Sequence, residues 1–200
     1  MRDAVTSPPG LVVAIPGISG VWPGARDLSF AARFFTALYA AGWRGPFTPI
    51  RWPAAEWGLL SVVALPFRRA TAEAPLTAAL RAPDWALGRY VGDAVLVSHS
   101  LGTELTRGWL VRTGYRPRIW IIAGSYDGLL GQSRRAFVPG MRPWPEGVRA
   151  HVIRHPDDWW GGPLDGVPET VLAAVPGVDP VAGHAYWDDP RFAAAVVAVA

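Results

Sequence analysis

The order of segments along the chain predicts an α/β domain, with a mostly parallel sheet of about six strands and helices on both faces. Two observations predict it. Short apolar runs alternate with helically spaced segments almost from end to end, the pattern of strand–helix–strand units with right-handed crossovers. Several of those runs, such as LVVAIPG (11–17) and RIWIIAG (118–124), are continuously apolar, as strands covered on both faces must be. The chain has 200 residues, half of them hydrophobic. That fits one domain spanning 1–200, and no internal repeat, low-complexity tract or long linker divides it.

The elements follow in order. The run 11–17 is the first strand. From Asp27, apolar residues at Leu28, Ala31, Phe35, Leu38 and Tyr39 recur at helical spacing, and Gly42 is placed to end the helix. FTPIRW (47–52) reads as a second strand, but Pro49 cannot donate to a ladder, which puts this strand at a sheet edge. Residues 53–92 read as two helices, the second running up to Gly92. AVLVSHS (94–100) is a strand, followed by a helix over 101–113 that Gly114 ends. Further strands are expected at 118–124, 148–154 and 170–175. Asp189-Pro190 is an N-cap followed by proline in the first turn, and Phe192, Val196 and Val199 give the last helix one apolar face.

Composition narrows the function classes. The 19 basic residues are all arginine and mostly scattered, with pairs only at Arg68-Arg69 and Arg134-Arg135, and the net charge is +3. This describes a solvated surface and argues against nucleic-acid binding. There is no cysteine, so thiolate metal sites and disulfides are excluded. The histidines at 99, 151, 155 and 184 lack zinc-site spacing, and the His151/His155 pair lies in a strand; no metal site is expected. No stretch of eighteen apolar residues predicts a membrane span, and MRDAVTSPPG has no secretory apolar core. A cytoplasmic protein is the expectation.

In a parallel sheet, chemistry collects beyond the carboxyl ends of the strands. Ser98-His99-Ser100-Leu101-Gly102 stands there, between a strand and a helix. An abrupt strand-to-helix turn needs small residues two positions before and after its apex, which Ser98 and Gly102 are. It leaves the Ser100 side chain projecting above the sheet and the Leu101 N–H at a helix start, where it can face a developing oxyanion. His99, next to the apex, points to the opposite face and reads as packing or turn support.

Strand, small-x-Ser-x-Gly, helix resembles the nucleophile elbow of the α/β-hydrolase superfamily, with Ser98 in place of the usual glycine. The resemblance implies further residues. In IPGISG (15–20) the residue after the glycine, Ile18, would supply the second oxyanion donor, with Ser19 close behind. GHAYWDDP (183–190) is similar to the family's late Gly-His followed by Asp-Pro, which makes His184 the base. HPDDWWGG (155–162) lies between serine and histidine in the family's order. Its usual form, Asp-x-apolar-apolar, selects Asp157, with Asp158 as second choice and Asp127 as third because some relatives take the acid there. Only ten residues precede the first strand, too few for the two leading strands of the full fold, so the chain resembles minimal, capless bacterial lipases and esterases.

The implied activity is a carboxylic ester hydrolase using Ser100, His184 and Asp157 or Asp158, with no cofactor or metal. A small-molecule ester with an apolar acyl group is the expected partner, met by Trp159 and Trp160. Trp57 and the apolar residues to Phe67 read either as core or as part of a lid-like insertion at 53–70, with a second insertion at 125–147. A thioesterase or acyltransferase would use the same triad, and a non-catalytic binding protein would retain only the scaffold. The sequence does not distinguish among oligomeric states.

Overall fold

A computed structural model describes residues 10–17, 29–51, 68–81, 93–124, 144–158, 161–164, 166–174 and 185–200. Among these, the elements in chain order are strand β1 (Val12–Ile15), helix α1 (Ser29–Ala40), β2 (Phe47–Pro49), α2 (Arg69–Arg81), β3 (Val95–His99), α3 (Leu101–Thr113), β4 (Ile119–Ala123), β5 (Ala150–Arg154), β6 (Glu169–Val171), a 3₁₀ turn (Tyr186–Asp188) and α4 (Pro190–Val199). The six strands form one sheet in the order β2-β1-β3-β4-β5-β6, and every pairing is parallel.

Period-two alternation divides the core between the two faces. Val13, Ile15, Leu96, Trp120, Ile122 and Val152 face α2 and α3, meeting Leu76, Leu80, Leu101, Leu105 and Trp109. Val12, Ala14, Val95, Val97, Ile121 and Ile153 face α1 and α4, meeting Phe34, Leu38, Phe192 and Val196. Each of these large aliphatic side chains contributes about 1.5–3 kcal/mol by leaving water. The Trp109 indole N–H donates to Thr77 Oγ1 at 2.8 Å, and Arg112 pairs with the buried Glu73. These bonds fasten α3 to α2.

Pro49 sits in the edge strand, with Ala14 as its register partner. The bond to β1 there comes from the following residue, Ile50 N–H to the Ala14 carbonyl at 2.8 Å. Pro49's missing donor thus falls on the open side, where no neighbouring strand requires it.

The buried side of α1 differs from the expected one. Phe35 and Tyr39 are 41% and 56% exposed, whereas Phe30, Ala31, Phe34 and Leu38 are buried. Phe34-Phe35 offers two overlapping stripes at helical spacing, and packing selects the one in which Phe34 stacks on Phe192 at 5.5 Å and meets Trp187 at 4.9 Å. The strand expected at 170–175 is short: β6 ends at Val171, although Leu172 N–H still bonds the Arg154 carbonyl at 2.9 Å. Most of both expected insertions, at 52–67 and 125–143, lies outside the described residues, as does the stretch 82–92.

Candidate active site

Parallel pairing brings the carboxyl ends of β1, β3, β4 and β5 to one edge of the sheet, so the residues following them, Pro16, Ser100, Gly124 and His155, are neighbours. Ser100 has φ 52° and ψ −127°, and no other described non-glycine residue has a positive φ. A backbone so placed costs about 1–3 kcal/mol and persists only where its surroundings impose it. Here the Ser100 N–H donates to the Ala123 carbonyl at 3.1 Å, and its own carbonyl accepts from Thr103 N–H at 2.9 Å. The next side chain, Leu101, is sunk in the core at 1% exposure, so the apex is held on both sides.

Ser100 occupies the N-cap position of α3 without using its side chain to cap it. Its hydroxyl stays above the sheet on a half-buried residue, while the first N–H groups of α3, Leu101's first among them, begin the helix with the positive end of its dipole. Two glycines make the turn possible. A Cβ on Gly102 would lie 2.5 Å from the Pro16 carbonyl oxygen and 2.6 Å from that of Ile15, so α3 starts in direct contact with the end of β1. A Cβ on Gly17 would lie 2.6 Å from Ser100 Cβ and 3.2 Å from its Oγ, so the chain leaving β1 passes directly beside the hydroxyl.

Ser98 points to the α3 face. Its Oγ accepts from the Trp120 indole N–H at 2.8 Å and exchanges a hydrogen bond with Thr103 Oγ1 at 3.2 Å, all three side chains being buried. His99 points the other way and packs against the rings of Tyr186 and Trp187, at 5.5 and 5.8 Å.

The two aspartates after β5 have different surroundings. Asp157 is exposed, whereas Asp158 is 4% exposed. Asp158 Oδ1 accepts from Gly161 N–H at 3.1 Å, and Oδ2 accepts from the Tyr186 hydroxyl at 2.8 Å. A Cβ on Gly161 would lie 2.5 Å from Gly124 Cα, which places this turn against the end of β4, beside the strand that leads into Ser100.

The Tyr186 hydroxyl also accepts from His155 N–H at 3.0 Å. Burial first, and then the Asp158 charge, push the Tyr186 phenol far above its ordinary range, so it remains a proton donor at any working pH. Behind it, the His155 imidazole lies tilted at 49° against the Tyr186 ring, with centroids 4.8 Å apart, and places Nε2 3.2 Å from Asp189 Oδ2. Burial lowers the His155 pKa below 6.5, outweighing the opposite pull of Asp189. Burial acts to raise the Asp189 carboxyl, but hydrogen bonds from the Arg191 side chain and backbone hold it below its ordinary value.

Among the expected site residues, Ser100, Leu101, Asp157 and Asp158 are therefore placed, with the turns carrying them gathered at one sheet edge. His184, Ile18, Ser19, Asp127, Trp159 and Trp160 lie outside the described residues. The sequence reading did not single out Tyr186, although it stands two residues after His184 and could have been noticed there. No cluster of three or more metal-ligating side chains occurs among the described residues, and no described helix is long and apolar enough to cross a membrane.

No family model and no curated protein matches this sequence. Solved structures do. PytH, a pyrethroid hydrolase, superposes in a variant form with a TM-score of 0.59 at 16% identity, over 95% of this chain and 96% of that one. A pyrethroid hydrolase from Sphingobium faniae JZ-2 gives 0.56 at 15% identity, over 94% and 96%. DphMB1 gives 0.55 at 15% identity, over 99% of this chain and 80% of its own. With the all-parallel sheet, its strand order and the helices on both faces, this chain has the α/β-hydrolase fold.

Proposed function

We propose that this protein is a serine hydrolase of carboxylic esters, with Ser100 as nucleophile and His184 as base. One observation carries the reading: a serine in a costly positive-φ backbone conformation, between a buried strand and a helix start, with its hydroxyl unused for capping. Strain of this kind is retained where a side chain must be presented rather than packed. That similarly folded proteins include pyrethroid hydrolases supports the reaction class.

In the reaction, His184 takes the Ser100 proton as Oγ attacks the ester carbonyl carbon. The resulting oxyanion is held by the Leu101 and Ile18 amides, each contributing about 3 kcal/mol to transition-state stabilisation. The tetrahedral intermediate collapses, His184 protonates the departing alcohol, and an acyl-Ser100 ester remains. Water, deprotonated by the same histidine, then releases the acid. Of the two neighbouring carboxylates we favour Asp158 over Asp157 as the acid that orients His184. It is buried and accepts an N–H on one oxygen and an O–H on the other, so its carboxylate is held in a fixed orientation as a triad acid must be, whereas Asp157 faces water. Trp159 and Trp160, next in sequence, would meet an apolar acyl group in a capless cleft.

The test is labelling by a fluorophosphonate probe together with hydrolysis of nitrophenyl esters of increasing acyl length. Labelling of the folded protein that vanishes in Ser100→Ala, and ester turnover that collapses in His184→Ala and Asp158→Asn but survives in Asp157→Asn, is expected. A folded protein that neither labels nor turns over any ester would refute the proposal and leave a binding scaffold.

A further inference from the structure

We infer that Tyr186 is a positioning residue that holds the Asp158 carboxylate in the orientation in which it can serve the base. This rests on the proposal that Asp158 is the triad acid.

The phenol oxygen stands where three pieces of the site meet. It donates to Asp158 Oδ2 at 2.8 Å and accepts from His155 N–H, at the end of β5, at 3.0 Å. Its ring packs on His99, the residue before the nucleophile, and on Phe192 of α4 at 5.3 Å. Tyr186 is fully buried and stands two residues beyond His184 in the sequence. The other Asp158 oxygen is fixed by Gly161 N–H at 3.1 Å. The carboxylate thus has a donor on each oxygen and cannot rotate without losing one. A phenylalanine would fill the same space and lack the hydroxyl. The tyrosine is therefore accounted for by its hydroxyl, which donates to Asp158 and accepts from His155 N–H.

The experiment uses the full chain, with Tyr186→Phe, Asp158→Asn and the double variant. Nitrophenyl ester hydrolysis is followed across pH, and thermal stability is recorded for each. Tyr186→Phe should lower kcat by about ten- to a hundred-fold with KM little changed, as for an ångström-scale misplacement of a catalytic group. Without the phenol proton, Asp158 carries more charge toward the base, so the acid limb of the kcat/KM profile should move to higher pH. A fluorotyrosine introduced at position 186 keeps the ring and makes the hydroxyl a stronger donor, so it should move that limb to lower pH. Opposite shifts from the two changes are not expected of a residue that only packs. The charged and titratable groups around the ring, His99, Arg154, His155, Asp157, Asp189 and Arg191, are the same in both variants.

In the Asp158→Asn background, Tyr186→Phe should cost little more. The inference is overturned if kcat stays within twofold of wild type, if the loss is undiminished in that background, or if the acid limb does not respond to fluorotyrosine. Should Tyr186→Phe fail to fold, the fluorotyrosine profile alone decides. Full activity in Asp158→Asn would instead remove the acid assignment. An inactive Asp158→Asn beside a fully active Tyr186→Phe would remove only the positioning role.

Discussion

Ser98→Ala deletes one oxygen from the strand beneath the nucleophile, and the structure gives the cost. The Trp120 indole N–H, on a side chain with 0% exposure, loses its acceptor at 2.8 Å. An orphaned buried donor costs about 1–3 kcal/mol, and losing the longer contact with Thr103, at 3.2 Å, adds less than about 1 kcal/mol. A total near 2 kcal/mol should lower Tm by about 4–8 °C in a chain of this size. The usual glycine of the elbow should be worse, since Ser98→Gly loses the same bonds and adds about 0.5–1 kcal/mol of backbone entropy in a strand. Urea denaturation of Ser98→Ala, Trp120→Phe and the double variant isolates the bond. Trp120→Phe alone costs packing volume, but in the double variant donor and acceptor leave together, so the two losses should fall short of adding by about 1–2 kcal/mol. Strict additivity, or a Ser98→Ala loss under about 0.5 kcal/mol, would refute the claim that Ser98 is present for its oxygen.

Gly102→Ala drives a Cβ to within 2.6 Å of two backbone carbonyls, neither of which can rotate away, so overpacking of about 1–3 kcal/mol or more and a displaced elbow are expected. Thermal melts, with fluorophosphonate labelling slowed at least about tenfold, would check it. Asp189 caps α4 by accepting from Arg191 N–H at 2.8 Å, so Asp189→Ala should cost about 1 kcal/mol in urea denaturation and Asp189→Asn clearly less. The buried His155 titrates below its unfolded value of 6.5, so just under that pH the unfolded chain binds more protons than the folded one. Stability should therefore rise with pH through that window and fall on acidification. His151 is lowered too, by burial and then by Arg149, with the same sign. His155→Gln should flatten the difference between urea midpoints at about pH 7.5 and 5.5 to the part His151 contributes, and an unaltered difference would count against this account.

How much of this was legible beforehand depended on whether the cause was local. Helix α3 begins and ends where the sequence placed it, because a glycine with room for φ 65° at 114 and an apolar strand before Ser100 are both signals within a few residues. The edge position of β2 was legible for the same reason, since one proline has only one tolerable place in a ladder. The buried face of α1 was not, because Phe34 and Phe35 are chemically identical and only Phe192 and Trp187, some 150 residues away, distinguish them. Nor could apolar character show where β6 stops. That depends on the length of β5 beside it, whose Arg154 pairs with Val171 and with the side chain of Glu169.

The paired aspartates show the same division at the candidate site. A motif of Asp, one variable residue and two apolar ones selects Asp157 from the chain's local order. Environment separates two adjacent carboxylates by other means. After β5 the backbone turns at Pro156, leaving Asp157 outward, and the Asp158 N–H bends back toward the His155 carbonyl at 3.3 Å. That turn carries the Asp158 side chain to Tyr186, 28 residues on, and to a glycine that must lie against Gly124. A carboxylate becomes useful to an imidazole when it is ionised and cannot rotate, and both conditions come from donors that the fold brings in from other segments. The choice between neighbouring aspartates is therefore a property of the packed sheet edge, which no window of sequence around residue 157 contains.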